Sequence, residues 1–202
     1  MKFSRNTLVG LGVGLVVGAL VVLGIRFAAY RPAHTHYHAN FAVYINGQRE
    51  EFASPFHYEE TGAGACTAEE AMTPAERTHM HGQVKDIVHV HDTAVTWGNF
   101  FQNLGWTVND TLIQTDDKVY LADATNKITF IIDGREYQDV TKEVIRDQSR
   151  LLVDYGGTSE DVLQQEFANV ASTAGEYDAG TDPASCQSGV NPTFRDRLRH
   201  LF

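Results

Sequence analysis

The run "LVGLGVGLVVGALVVLGI", Leu8 to Ile25, contains no polar side chain. No other segment restricts the chain so strongly. As a helix rising 1.5 Å per residue it measures about 27 Å, close to the thickness of a bilayer's hydrocarbon core. A helix satisfies every backbone group internally, as lipid demands. Lys2 and Arg5 precede the run, and Arg26 and Arg31 follow it. That slight bias favours the N-terminus inside and the remainder outside. A cleaved signal peptide is the alternative. The run exceeds a usual signal core, and Arg26 interrupts the approach to a cleavage site, so an uncleaved single-pass anchor in the cell membrane is expected. Gly10, Gly14 and Gly18 stand four apart, a spacing that lets two such helices approach as a homodimer.

The rest of the 202 residues suffices for one compact domain with appendages. The formal net charge is -10. A phosphate-binding surface needs a Lys/Arg excess, so nucleic acid is not an expected partner. The same sign argues against docking of the soluble part on anionic lipid. Outside the membrane an even pair of cysteines, Cys66 and Cys186, suggests one disulfide. A Cys66 thiolate acting as a metal ligand competes with that reading but leaves Cys186 without a role.

Hydrophobic alternation then divides the chain. "FAVYINGQREEF" reads as a hairpin turning at Asn46-Gly47, with Phe41 opposite Phe52. "TAEE" (Thr67 to Glu70) fits a capping box, and "TPAER" has Thr73 as cap, Pro74 first and Glu76 third. "DIVHVHD" alternates as a strand. In "TWGNFFQNLGW", Trp97, Phe100, Phe101 and Leu104 form a helical apolar stripe between a Thr96 cap and a Gly105 stop. "KVYLA" and "KITFIIDGREY" follow, the second turning at Asp133-Gly134. A last strand covers Leu151 to Tyr155, and a helix is expected over Ser159 to Ser172. The basic end, with Phe194, Leu198 and Leu201 on one face, should dock on the domain or touch the membrane surface.

The fold class predicted is α+β: an N-terminal transmembrane helix, a mixed sheet with one packed helix, and a C-terminal helical tail. The order of elements resembles that of β-grasp (ubiquitin-like) domains, best over "ITFIIDGREYQDVTKEVIRDQSRLLVDYG". The boundaries expected are a cytoplasmic tail over 1–6, the anchor over 7–27, an extracytoplasmic domain over 28–157, and a tail over 158–202 tied by the disulfide.

Eight of the nine histidines lie between His34 and His91. Seven form His-x-His pairs or a run: His34, His36 and His38, then His79 and His81, then His89 and His91, with His57 apart. Residues two apart on a strand share a face, so such units offer side-by-side imidazoles to one ion. Phe41, Val43 and Ile45 mark the core face of the first strand, and Val88 and Val90 that of the later one. The histidines then point the other way, onto an exposed sheet face, and should the two strands be neighbours they meet there. Imidazole suits copper and zinc. Asp92 is the expected orienting carboxylate, with Asp86, Glu59 and Glu60 as further oxygens.

"THMHGQVKDIVHVHD" followed by "VTWGNFFQNLGW" resembles a family of uncharacterised secreted or membrane-anchored prokaryotic domains. That family pairs a His-x-His turn and an Ile-His-Val strand with Thr-Leu-Gly-x-Phe-Phe. The resemblance covers roughly Ala33 to Trp106 and matches His79, His81, His89, Thr96, Gly98, Phe100 and Phe101. His91 stands where the family commonly has an acidic residue. The resemblance implies a unit without naming an activity.

The sequence therefore predicts a binding or delivery module for a divalent transition metal, copper or zinc. Its ligands are drawn from His79, His81, His89, His91, His34, His36 and His38. The alternative is a metal-independent surface interaction or assembly module. No His-Glu-x-x-His helix and no nucleophile elbow supports an enzyme. Clustered histidines would also respond to pH.

Overall fold

The computed structural model describes residues 4–30, 35–58, 73–179, 194–199 and 201. Contacts divide the chain into two compact units, Met1–Ala33 with Gly189–Phe202, and His34–Ser188.

In the first unit, α1 (Arg5–Ala29) contains the apolar run, and none of its side chains is buried. Ser4 caps it, its hydroxyl accepting the Thr7 N–H at 3.2 Å. A short helix, Phe194–Arg199, packs on the other end of α1. There Arg197 donates to the carbonyls of Phe27 and Ala28 at 2.7 and 3.0 Å. A helix leaves its last carbonyls without intrahelical partners, and a cation suits that end. The basic C-terminal segment thus docks on α1.

In the second unit, β1 (Tyr37–Ile45) turns at Asn46 and Gly47, with φ of 51° and 75°, into β2 (Gln48–Arg49). These angles are those of the type I′ turn that the Asn-Gly pair predicts. Phe52, at φ 43°, leaves the ladder, yet its ring still meets that of Phe41 at 5.2 Å. Next come α2 (Pro74–Arg77), capped by Thr73 and Glu76, and β3 (Thr78–His79), β4 (Ile87–Val90) and α3 (Trp97–Asn103). A separate three-stranded sheet follows, β5 (Thr107–Val108), β6 (Leu112–Gln114) and β7 (Val119–Leu121); "KVYLA" belongs to it. The chain returns as β8 (Lys127–Ile132), β9 (Arg135–Tyr137) and β10 (Arg150–Gly156), then α4 (Glu160–Ala168) and α5 (Ala174–Ala179).

The main sheet has the order β3-β4-β1-β10-β8-β9, with β2 also on β1. Its central strands β1 and β10 are parallel, and their other neighbours are antiparallel. The odd residues of β1 face α3. Phe41 and Val43 pack with Val88, Val90, Leu151, Val153, Trp97, Phe100 and Phe101 in one apolar core. Burying side chains of this size contributes roughly 1.5–3 kcal/mol each. Thr96 and Asn99 form a reciprocal cap at the start of α3. Gly98 lies against the backbone, where a Cβ would stand 2.5 Å from the Thr141 carbonyl oxygen.

Residues 157–179, inside the tail expected over 158–202, belong to this unit. The helix expected over Ser159 to Ser172 stops at Ala168. Its Leu163 and Phe167, with buried Val170, cover Ala42, Tyr44 and Leu152 on the other face of the sheet. Cys66, Cys186 and the "TAEE" cap lie outside the described residues.

Candidate metal centre

Three adjacent strands place histidines in register. His38 on β1 is opposite His89 on β4, which is opposite His79 on β3. Because side chains alternate, His36, His81 and His91 join the same face one step away. Six imidazoles gather there. Ring centroids of His38 and His89 are 4.4 Å apart, those of His36 and His91 4.8 Å, and those of His81 and His89 3.8 Å. His79 meets His91 at 5.1 Å.

Within this group His36, His38 and His89 each offer a ring nitrogen, all within 4.8 Å of one another. His38 Nε2 and His89 Nδ1 are 3.0 Å apart. Two nitrogens on one tetrahedral zinc, at the usual bond length, stand about 3.3 Å apart. The pair is therefore close to ligand spacing without rearrangement of the strands. A buried triad of this kind can hold a metal ion.

The hydrogen bonds set the tautomers. His38 Nδ1 is 2.5 Å from Asp178 Oδ1. An ionised carboxylate only accepts, so Nδ1 carries the proton and Nε2 the lone pair. His89 Nδ1 then donates across the 3.0 Å contact. Likewise His79 Nδ1 donates to the Ala75 carbonyl at 2.9 Å, leaving its lone pair on Nε2. Burial, and after it the neighbouring imidazoles of His81, His38, His79 and His91, pushes the His89 pKa far down. His89 is thus neutral, the form that binds metal.

The face is not exposed, as alternation alone predicts it to be. His38, His79, His89 and His91 are all buried. The cause is the C-terminal segment. Asn40, itself buried, accepts the Ala174 N–H at 2.9 Å and donates to Thr173 at 3.3 Å, fastening the start of α5 to β1. From α5, Asp178 reaches His38, and the Tyr177 ring lies 5.8 Å from that of His38 and 6.5 Å from that of His89. Asp147 stands beside Asp178, and burial followed by that second carboxylate raises its pKa.

The remaining candidates lie elsewhere. Asp92 accepts from Arg77 and from the Thr93 N–H, both at 2.7 Å, so the carboxylate on a cluster histidine is Asp178. Asp86 faces Arg49 at 3.5 Å. His57 packs beside Phe52 and Trp106 and meets Asp116 at 2.9 Å, away from the cluster. His34, Glu59, Glu60 and His200 are outside the described residues. Tyr177 and Asp178 carry no local sequence signal. Asp178 follows His38 by 140 residues, in a segment without motif or alternation.

Comparison with protein-family models, curated proteins and solved structures finds no match for the chain.

Proposed function

We propose that this protein is a membrane-anchored, extracytoplasmic metal-binding module that takes up a divalent transition metal, copper or zinc, through His36, His38 and His89. The observation that carries the reading is the convergence of three ring nitrogens within 4.8 Å of one another, two of them on buried histidines. Asp178 holds His38 in the tautomer a metal ligand needs, the usual task of a carboxylate behind an imidazole. The ion takes the place of the proton now between His38 and His89, which moves to Nε2 of the still-neutral His89; protons compete with the metal for the same ring nitrogens, so binding weakens in acid. His79, His81 and His91 surround the triad and supply further ligands or a path to it. The role is binding or delivery, not turnover.

Anchoring rests on α1, a 25-residue helix that buries nothing within the chain and whose 18-residue apolar stretch has a mean hydropathy of 2.7. At 1.5 Å per residue it spans about 37 Å, enough to cross a bilayer with tilt. Gly10, Gly14 and Gly18 face open space, which leaves a surface for a second copy of the helix. The parallel central pair β1/β10, with α3 across one face, supports a β-grasp-like domain. The resemblance to secreted or membrane-anchored His-rich prokaryotic domains fits the same picture.

The test is calorimetric titration of the purified full chain in detergent with Zn²⁺ and Cu²⁺. One tightly bound equivalent near neutral pH, lost in acid, is expected. Replacing His36, His38 and His89 together by Ala should abolish it. Absence of binding, or binding unaltered in the triple variant, refutes the assignment and favours the metal-independent interaction module.

A further inference from the structure

The same sheet face carries a second buried polar group at its far end. Asp154 on β10 sits opposite Tyr44 on β1 and Thr129 on β8. Its side chain points to α4, whose one buried residue is Glu166. Asp154 is 1% and Glu166 5% exposed. A helix that docks through half-buried Leu163 and Phe167 has no packing reason to seat a carboxylate between them. A buried charge is costly unless it is paired or neutralised. Neither oxygen of Asp154, nor Glu166 Oε2, has a hydrogen-bond partner at ordinary distance among the described residues, though the Thr158 hydroxyl and the Glu166 carboxyl lie beside Asp154.

Among the described residues, the groups around the pair supply no compensating cation. Tyr44 comes from β1, Thr129 from β8, and Thr158 from the turn before α4. Arg150, on the same strand, is committed to the carbonyls of Phe167 and Ala171 at 2.9 and 3.0 Å, and to that of Val170. Two carboxyls facing each other in such a place satisfy one another if one keeps its proton, because one then donates to the other.

We propose that Asp154 and Glu166 share one proton, and that this proton latches α4, and with it the cover carrying Asp178, over the histidine face. Burial, and after it the Asp154 charge, pushes the Glu166 pKa up to about 7. The folded pair therefore keeps its proton through mildly acidic pH, where an unfolded glutamate has lost it. The stabilisation is complete below the ordinary glutamate value of about 4.5, and is lost as pH rises through about 7. Only five residues lie between Ala168 at the end of α4 and Ala174 at the start of α5, so loosening α4 loosens the cover. The latch stands on the carboxyl pair alone; its control of metal entry rests on the reading given above.

Hydrogen exchange on the metal-free full chain tests the latch without reference to metal. After correction for intrinsic exchange, protection of residues 159–170 should fall about tenfold between pH 6 and pH 8, the linkage of one proton with the shift above. Glu166→Gln supplies a permanent donor, and Asp154→Asn does the same from the other side. In either variant the fall should disappear. Equal protection at the two pH values in the native chain overturns the proposal, as does an unchanged fall in both variants. Protection restored at pH 8 by Ca²⁺ or Mg²⁺ in the native chain alone also overturns it, because the pair would then hold a cation instead of a proton. Metal entry is a separate arm: Zn²⁺ association should speed up from pH 6 to pH 8 more in the native chain than in Glu166→Gln. If exchange behaves as expected and Zn²⁺ does not bind, the latch survives and the metal reading fails.

Discussion

The two faces of the main sheet are built from alternate residues of the same strands, yet they obey different chemistry. Phe41 and Val43 on one face of β1 enter an aromatic core closed by α3. His38 and Asn40 on the other are equally buried but polar, and need Asp178, His89 and Thr173 to be tolerated. The first face gains stability from burial. The second spends part of it on burying imidazoles and carboxyls. A fold that needed only stability would fill both faces with apolar side chains, and the second face is where the proposed metal site lies.

The largest effect should come from the apolar face. Phe100→Ala removes a fully buried ring from the core and should cost about 3–5 kcal/mol in denaturant unfolding, with metal affinity unchanged in whatever remains folded. His89→Leu, of similar bulk on the opposite face, should leave the metal-free fold as stable or more stable. Equal losses from the two changes would break the comparison.

Metal should act only through the polar face. Zn²⁺ at one hundred times its dissociation constant should stabilise the native chain by about 2.7 kcal/mol, read as a rise in Tm, and do nothing for His89→Leu.

The pH dependence of the metal-free chain gives a smaller effect. The His89 pKa is depressed by the fold, so above about 6.5 both states are neutral and its contribution is fully present. As pH falls below that value the unfolded histidine takes a proton that the folded one refuses. Stability should then drop by up to about 1.4 kcal/mol per pH unit for this one group. The Asp154–Glu166 proton has the opposite slope between about 4.5 and 7, so the measurement is made in Glu166→Gln. An acid limb with no slope in that variant would contradict a neutral buried His89. Smallest is Thr96→Ala, which removes the reciprocal cap of α3 and should cost about 1 kcal/mol without touching metal binding.

The difference between the faces also marks what the sequence discloses. Both Asx-Gly turns, the Thr73 and Thr96 caps and the α3 stripe are legible because each depends on residues a few positions apart. Alternation correctly turns His38 and His89 away from the aromatic core. It cannot tell that His79 completes their row, because β3 is two residues long and register across strands is a tertiary fact. Nor can it tell that this face is covered. A polar face reads as solvent-facing unless its lid is known, and the lid comes from residues 159–179, where Asp178 and Glu166 look like ordinary surface acids.

His36, His38 and His89 are the proposed metal centre. X-ray absorption on the zinc-loaded full chain tests it most directly. At least three imidazole nitrogens at about 2.0–2.1 Å and no sulfur are expected, with the imidazole pattern lost in the His36→Ala, His38→Ala, His89→Ala variant. A sulfur neighbour at about 2.3 Å, or the same spectrum from that variant, would contradict it.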